Sequence, residues 1–367
     1  MRSLIPEKTL MQYQCIKNGV IRAAVMLGAD ALFRRINRKK LLVVMYHGVT
    51  GKDYEPQIWT QLPLAAFRRQ LEFLCDCYVP VSLNEVVRAI RGQATLPERA
   101  VLITFDDGLK NNYTIAFPVL HEMGVPAAIF LAVDYVGSGE ILWVDELYFL
   151  LLEASLRGIS LDLPYASAQD LLLAGQLQKS YEIAVEALKR TGAVQRAKEM
   201  ERLRAMIPLD RRNLLDDFSM LSWDDVHIML RSGRIEFGVH TATHRILTEL
   251  AGDEWEQEII VPKHNLESKL DREVAAFCFP NGRPLIDFRP EHIEYLRKSD
   301  YSCAFTTERG LFALPDGDCM AIARIAGHEG KDGPAYFRLN ASGAIRFVKD
   351  SLNRVNAKEQ AIMAGAS

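Results

Sequence analysis

The chain has 367 residues, 49% of them hydrophobic and 25% charged, and a formal net charge of -3 at pH 7. That length and hydrophobic content suffice for one large buried core or two moderate ones, and the lack of a basic excess excludes nucleic acid as an obligatory partner, because nothing would displace counterions from phosphates. The six cysteines, at positions 15, 75, 77, 278, 303 and 319, are scattered without a CxxC pair and read as reduced core residues.

Residues 1–40 read as a helical leader. Arg22 and Asp30 interrupt its one apolar stretch, Val20 to Phe33, so neither a signal peptide nor a transmembrane span is expected, and the expected location is cytoplasmic. Ile16, Val20, Ala23, Ala24, Leu27 and Ala31 recur at helical spacing ahead of the basic run Arg34, Arg35, Arg38, Lys39, Lys40. The pattern suits a helix packed on the domain with a solvated basic end, and it also suits peripheral contact with an anionic inner membrane face.

Leu41 to Tyr46 is a continuous apolar run of strand length that exits into His47 and Gly48. Helical periodicity follows over 64–75 and 82–91, with Ser82 as N-cap and Glu85 completing a capping box. The next apolar run, Val101 to Phe105, ends in Asp106, Asp107 and Gly108, so a buried strand delivers two carboxylates to its own C-terminal lip. Adjacent carboxylates resist joint ionisation unless a cation neutralises them, although an isolated Asp-Gly pair also reads as a plain turn. A helix is expected over about 111–123 and a strand over Ala127 to Leu131, and this strand–helix rhythm predicts a parallel sheet.

From about residue 145 to 217 the rhythm stops, and helical periodicity without an apolar strand marks an insertion. Trp143, just before it, is suited either to the core or to stacking on a sugar ring. The rhythm resumes with a helix over Trp223–Arg231 and a strand from Arg234 to Val239, which delivers His240, Thr241 and His244. A long helix over 253–270, a strand from Val274 to Phe279 ending in Pro280, Asn281 and Gly282, and a helix over 290–298 come next. Short strands over 302–305 and 320–325 precede a helical tail over 334–367. The domain therefore spans 41–333. In an α/β barrel all strand C-termini open on one face, so His47, Asp106, Asp107, His240, His244 and Asn281 can meet there. The HTATH spacing brings two imidazoles together beside one carboxylate, a donor set for a divalent metal made of Asp107, His240 and His244.

Thr104 to Gly108 (TFDDG), His240 to His244 (HTATH) and Phe277 to Gly282 (FCFPNG) resemble the leading motifs of the NodB-type polysaccharide deacetylases, carbohydrate esterase family 4. The resemblance covers 41 to about 327 outside the insertion. It implies a distorted (β/α) barrel, a divalent metal with zinc first and cobalt or manganese as alternatives, and hydrolysis of an N-acetyl group on a sugar or glycan substrate of surface-polysaccharide biosynthesis. Asp106 takes the place of the general base, and Asn281 and Gly282 that of the oxyanion loop. Two positions depart from the family pattern. Cys278 stands where many members carry the arginine that orients the base, and Arg324, at the end of the last strand, is the candidate replacement. For the acid, His47 in VVMYHGV resembles the N-terminal histidine of the subgroup with an MYH motif, and His328 is the alternative. Deformylation, O-deacetylation, and glycan binding without catalysis are the competing functions on the same scaffold.

Overall fold

The computed structural model describes residues 7–52, 54, 58–161, 166–210, 214–327 and 333–351. Seven parallel strands close on themselves: β1 (Lys40–Tyr46), β2 (Ala100–Phe105), β3 (Ala127–Leu131), β4 (Ile235–Val239), β5 (Ala276–Cys278), β6 (Cys303–Arg309) and β7 (Ile322–Ala326). Each strand pairs with its sequence neighbour, and the ring shuts where β7 pairs with β1 in the register Val44 with Ile325 and Met45 with Ala326. Two short strands fill the lower edges that this leaves: Val79–Pro80 pairs with the start of β2, and Phe312–Ala313 pairs antiparallel with the start of β1.

The strand period of two sorts side chains into separate cores. Leu41 and Val43 of β1, Leu102 of β2, Phe130 of β3, Cys278 of β5 and Phe305 of β6 share one cluster inside the barrel, which helix Leu83–Ile90 enters through Val86. The alternate residues, such as Val44, Ile103, Ile129 and Val239, pack outward against the helices. The same alternation aims Thr104 and Asp106 inward, directly above Leu102. The barrel is tightly filled beside β4. A Cβ on Gly238 would lie 2.5 Å from the Phe130 ring and 2.8 Å from the Ala276 carbonyl oxygen, so only glycine fits there.

Most strand and helix positions follow the sequence periodicity, although the strand expected over 302–305 runs on to Arg309, and two helical departures share one cause. The expected helix over 111–123 is a π-helical turn, Asn112–Ala116, followed by an α-helix, Phe117–Glu122. The expected long helix over 253–270 is broken into a 3-10 turn (Gly252–Glu254), a π-helical turn (Glu256–Ile260) and an α-helix (Val261–Leu270). In both, proline is the second residue of the α-helix, Pro118 and Pro262. Proline cannot donate to the carbonyl four residues back, and the wider π turn accommodates that gap.

The insertion consists of helices Trp143–Arg157, Ala166–Leu173, Leu177–Arg190, Ala193–Met206 and Leu215–Phe218, with a core of its own that includes Leu147, Leu151, Tyr181, Leu203 and Phe218. Helices Glu7–Met26 and Ala29–Ile36 pack against helix Gly333–Ala341 and the following helix over 344–351, sharing a cluster around Ile21, Phe33, Leu339 and Ala344. Residues 7–36 and 333–351 thus form one helical layer on the barrel's flank, and the rest of the expected helical tail, 352–367, lies outside the described residues. Among the described residues, no helix is long and apolar enough to cross a membrane.

Candidate active site

Asp106 still follows the pleat of β2, and its backbone N–H donates to the Tyr46 carbonyl at 2.9 Å. Arg324, on β7 and fully buried, points into the barrel and grips both carboxylate oxygens of Asp106, Nη1 to Oδ1 and Nη2 to Oδ2 at 2.7 Å each. The guanidinium is itself held, with Nε donating to the Thr306 carbonyl at 2.8 Å and Nη1 to Thr104 Oγ1 at 3.2 Å. Such a planar fork on a carboxylate fixes orientation as well as charge. Cys278 sits in the same contact, accepting from Arg324 Nη2 at 3.1 Å with its Sγ 3.5 Å from Asp106 Oδ1. Burial pushes the Asp106 carboxyl upward, but the charge and hydrogen bonds of Arg324 outweigh it and leave the pKa lowered.

At Asp107 the backbone turns to φ 74°, followed by Gly108 at φ 87°. This turn separates the two carboxylates. Asp107 Oδ1 lies 3.4 Å from His240 Nε2 and 3.2 Å from His244 Nε2, and it is buried without a hydrogen-bond partner. The three donor atoms lie within 4.8 Å of one another. A buried carboxylate oxygen and two ring nitrogens converging on a common point form the donor set of a divalent cation. The His240 ring is oriented by a 2.8 Å contact between its Nδ1 and the Cys278 carbonyl, which turns Nε2 toward Asp107. Burial opposes ionisation of Asp107, yet the two imidazoles hold its pKa well below the usual carboxylate range.

The loop that presents His244 is strained, with Thr241 at φ 62° and His244 at φ 57°. Glu258, from the π-helical turn, braces it: its carboxylate accepts from the backbone N–H groups of Ala242 and Thr243 at 3.0 Å each and from Thr243 Oγ1 at 2.6 Å.

His47 follows β1 at the same lip, its ring edge-on to Trp59 with centroids 4.9 Å apart. Burial lowers the imidazole pKa, and the nearby Asp107 and Asp106 charges pull against that shift without cancelling it. Beneath lies a group the motifs do not announce. Asp145, from the first insertion helix, is buried with only a 3.3 Å hydrogen bond from Thr60 Oγ1, and burial plus the Asp107 charge push its pKa up to about 8.

His47, Asp106, Asp107, His240, His244, Asn281 and Arg324 line one cavity of about 480 Å³. Helix Leu177–Arg190 of the insertion forms its opposite wall through Gln178, Tyr181, Glu182, Val185, Glu186 and Lys189. Lys189 Nζ reaches across to Asn281 Oδ1 at 3.2 Å. Among the expected site residues, Gly282 is the one the structure sets apart. Its N–H is spent on the Pro280 carbonyl at 2.7 Å, so it is no oxyanion donor. Glycine is required there because a Cβ would meet the Thr307 nitrogen at 2.9 Å. Trp143 also differs from the stacking alternative, since it packs against the insertion core under the Arg196 guanidinium, 4.9 Å from its ring. Trp59, Tyr181, Glu258 and Lys189 are site residues with no local sequence signal. His328 lies outside the described residues.

A closed parallel barrel with this cluster at its C-terminal lip is a (β/α)-barrel protein with a candidate metal-hydrolase centre. The family model for polysaccharide deacetylases matches residues 93–303, and the chain belongs to that family. The poly-beta-1,6-N-acetyl-D-glucosamine N-deacetylase of Escherichia coli (strain K12) is 33% identical over 110 residues, a stretch that takes in 29% of this chain and 16% of that relative. Among solved structures, IcaB from Ammonifex degensii aligns with a TM-score of 0.50 and 21% identity over 78% of this chain and 91% of its own. The Streptococcus pyogenes deacetylase PplD, in complex with acetate, aligns with a TM-score of 0.51 and 17% identity over 78% and 92%. These structural likenesses establish the fold.

Proposed function

We propose that this chain is a metal-dependent N-deacetylase that hydrolyses the acetamido group of an amino sugar in a surface glycan or its precursor. The observation that carries this reading is the division of labour between neighbouring carboxylates, with Asp107 turned to the two imidazoles and Asp106 locked by Arg324. Asp107, His240 and His244 would hold the cation, with zinc, cobalt or manganese as candidates. When bound, such an ion supplies Lewis acidity toward a carbonyl oxygen and lowers the pKa of a water.

Asp106 remains ionised and oriented, so it serves as the base that takes a proton from the attacking water. Arg324 keeps that carboxylate fixed while the proton is transferred. His47, across the cavity, delivers a proton to the departing amine, in keeping with the resemblance to the MYH subgroup. Asn281 lines the cavity, and its backbone N–H would serve as the donor to a developing oxyanion. The insertion helix bounds the space for the rest of the glycan, and Trp59, half-exposed beside His47, offers a ring face to a sugar.

The test is acetate release from N-acetylglucosamine oligosaccharides, β-1,6-linked ones first because of the Escherichia coli relative, with zinc or cobalt added. Release should vanish with a chelator and fall by about 10²–10⁴ in Asp106→Asn. Absence of acetate from every amino-sugar acceptor by protein carrying stoichiometric metal would defeat this reading.

A further inference from the structure

Nearly half of the large exposed hydrophobic side chains among the described residues fall in two short segments, 20–36 and 347–348. Met26 and Leu27, at the turn between the two N-terminal helices, are 85% and 88% exposed. Leu32 and Ile36 on helix Ala29–Ile36, and Phe347 and Val348 on the neighbouring helix, are also more than half exposed. The two elements touch through Phe33 and Phe347, whose ring centroids are 5.2 Å apart, so these residues belong to one surface. The side of the layer facing the barrel is already satisfied by the cluster around Ile21, Phe33, Leu339 and Ala344.

The charge on this surface is equally patterned. Leu32 lies three and four residues before Arg35 and Ile36 on helix Ala29–Ile36, and Lys39 and Lys40 follow just past its end, so apolar and basic side chains share one short stretch of surface. Arg35, Lys39 and Lys40 are exposed and have no ion pair among the described residues, whereas Arg34 and Arg338 are committed to the buried Asp30. Arg346 is likewise taken up by Glu308 and Asp350.

We propose that this face docks on an anionic phospholipid bilayer. A two-fold pairing with a second copy would set these cations against their own symmetry mates, which charge disfavours. Met26 and Leu27 project from the turn between the two helices, the arrangement that enters a headgroup layer while the cations meet lipid phosphates, and Ile36 and Phe347 border a groove on the same face. Arg309 lines both the groove beside Ile36 and Phe347 and the catalytic cavity. Docking on this face would therefore bring one wall of the catalytic cavity close to the membrane surface. The docking itself does not depend on the reaction assigned to the cavity.

The full chain, with metal, is to be sedimented with vesicles of phosphatidylcholine alone and of phosphatidylcholine with about 30% phosphatidylglycerol, at low and high salt. Binding is expected on the anionic vesicles only, weakened by salt, and reduced about tenfold in Leu32→Asp/Ile36→Asp and in Arg35→Glu/Lys39→Glu. The second variant changes only exposed charges and guards against misfolding of the first, and both should keep their metal content. Failure of the natural chain to bind anionic vesicles, or equal binding by the variants, overturns the proposal. If light scattering then shows a dimer that the variants dissociate, a second copy covers this face instead.

Discussion

At Asp107 the main chain turns to φ 74° while Asp106 keeps the strand pleat, so two identical side chains one residue apart meet different partners. The consequence can be measured. His240→Ala should lose both metal and turnover, whereas His47→Ala should keep its metal and lose turnover by about a hundredfold or more, as metal analysis and acetate release would establish. Because burial lowers the His47 pKa, its role as acid further requires kcat/KM to fall as pH rises through a value below the ordinary imidazole range.

Arg324→Met leaves Asp106 buried without its cation. Removal of one partner of a buried pair costs about 3–5 kcal/mol, seen as a lower midpoint of chemical unfolding. The pKa of Asp106 is depressed in the folded chain, so the pairing contributes stability above the carboxylate's unfolded pKa, and that contribution is lost as pH falls through the lower folded value. In Arg324→Met the guanidinium no longer offsets burial, and the acid limb of the pH–rate profile should move upward. The two aspartates and two histidines were legible in the sequence because each motif is local to one strand end. Arg324 was legible as a candidate from its strand-end position, although it acts 218 residues from Asp106. The bonded state of the Gly282 N–H was not, because it depends on how the loop folds back on Pro280.

Among the elements, the helical character of the insertion could be read from periodicity, but the face that walls the cavity could not. Tyr181, Glu182 and Lys189 look like ordinary amphipathic positions until helix Leu177–Arg190 lies over the barrel lip. The π turns before Pro118 and Pro262 do have a local signal, and the second supplies Glu258 to the His244 loop. The layer formed by the two chain ends rests on Asp30, which accepts from Arg34 Nη1 at 2.7 Å and Arg338 Nε at 3.0 Å. Burial raises its pKa, the two guanidinium groups lower it by more, and the net shift is downward. The stability it lends is therefore present above the unfolded carboxylate pKa and lost as pH drops through the folded one. Asp30→Asn should loosen the layer by about 1–3 kcal/mol, given the partial exposure of Arg338, and hydrogen exchange over 17–36 should quicken without loss of metal.

For the whole molecule, the alternation of strands and helices was enough to predict a parallel sheet, and the family resemblance implied the barrel with its site at one lip. Strand count and closure were not fixed by that pattern, because they depend on how twist and side-chain volume fill the interior. Gly238 marks this limit. Gly238→Val would press into Phe130 and the Ala276 carbonyl, and a cost of at least about 1–3 kcal/mol is expected, read as a lower melting temperature with fewer correctly metal-loaded molecules. The contact between the leader and the tail was equally invisible, since neither segment carries the other's pattern.

Closure through β7 also bears on when the site comes into being. During synthesis Asp106, Asp107, His240 and His244 all leave the ribosome before Arg324, and β1 must wait for β7 before its second edge is covered. A nascent chain thus exposes its carboxylates and imidazoles in the absence of the residue that commits Asp106 to its own partner. Formation of the Arg324 fork commits Asp106 to the guanidinium and leaves Asp107, with His240 and His244, as the carboxylate that faces the imidazoles.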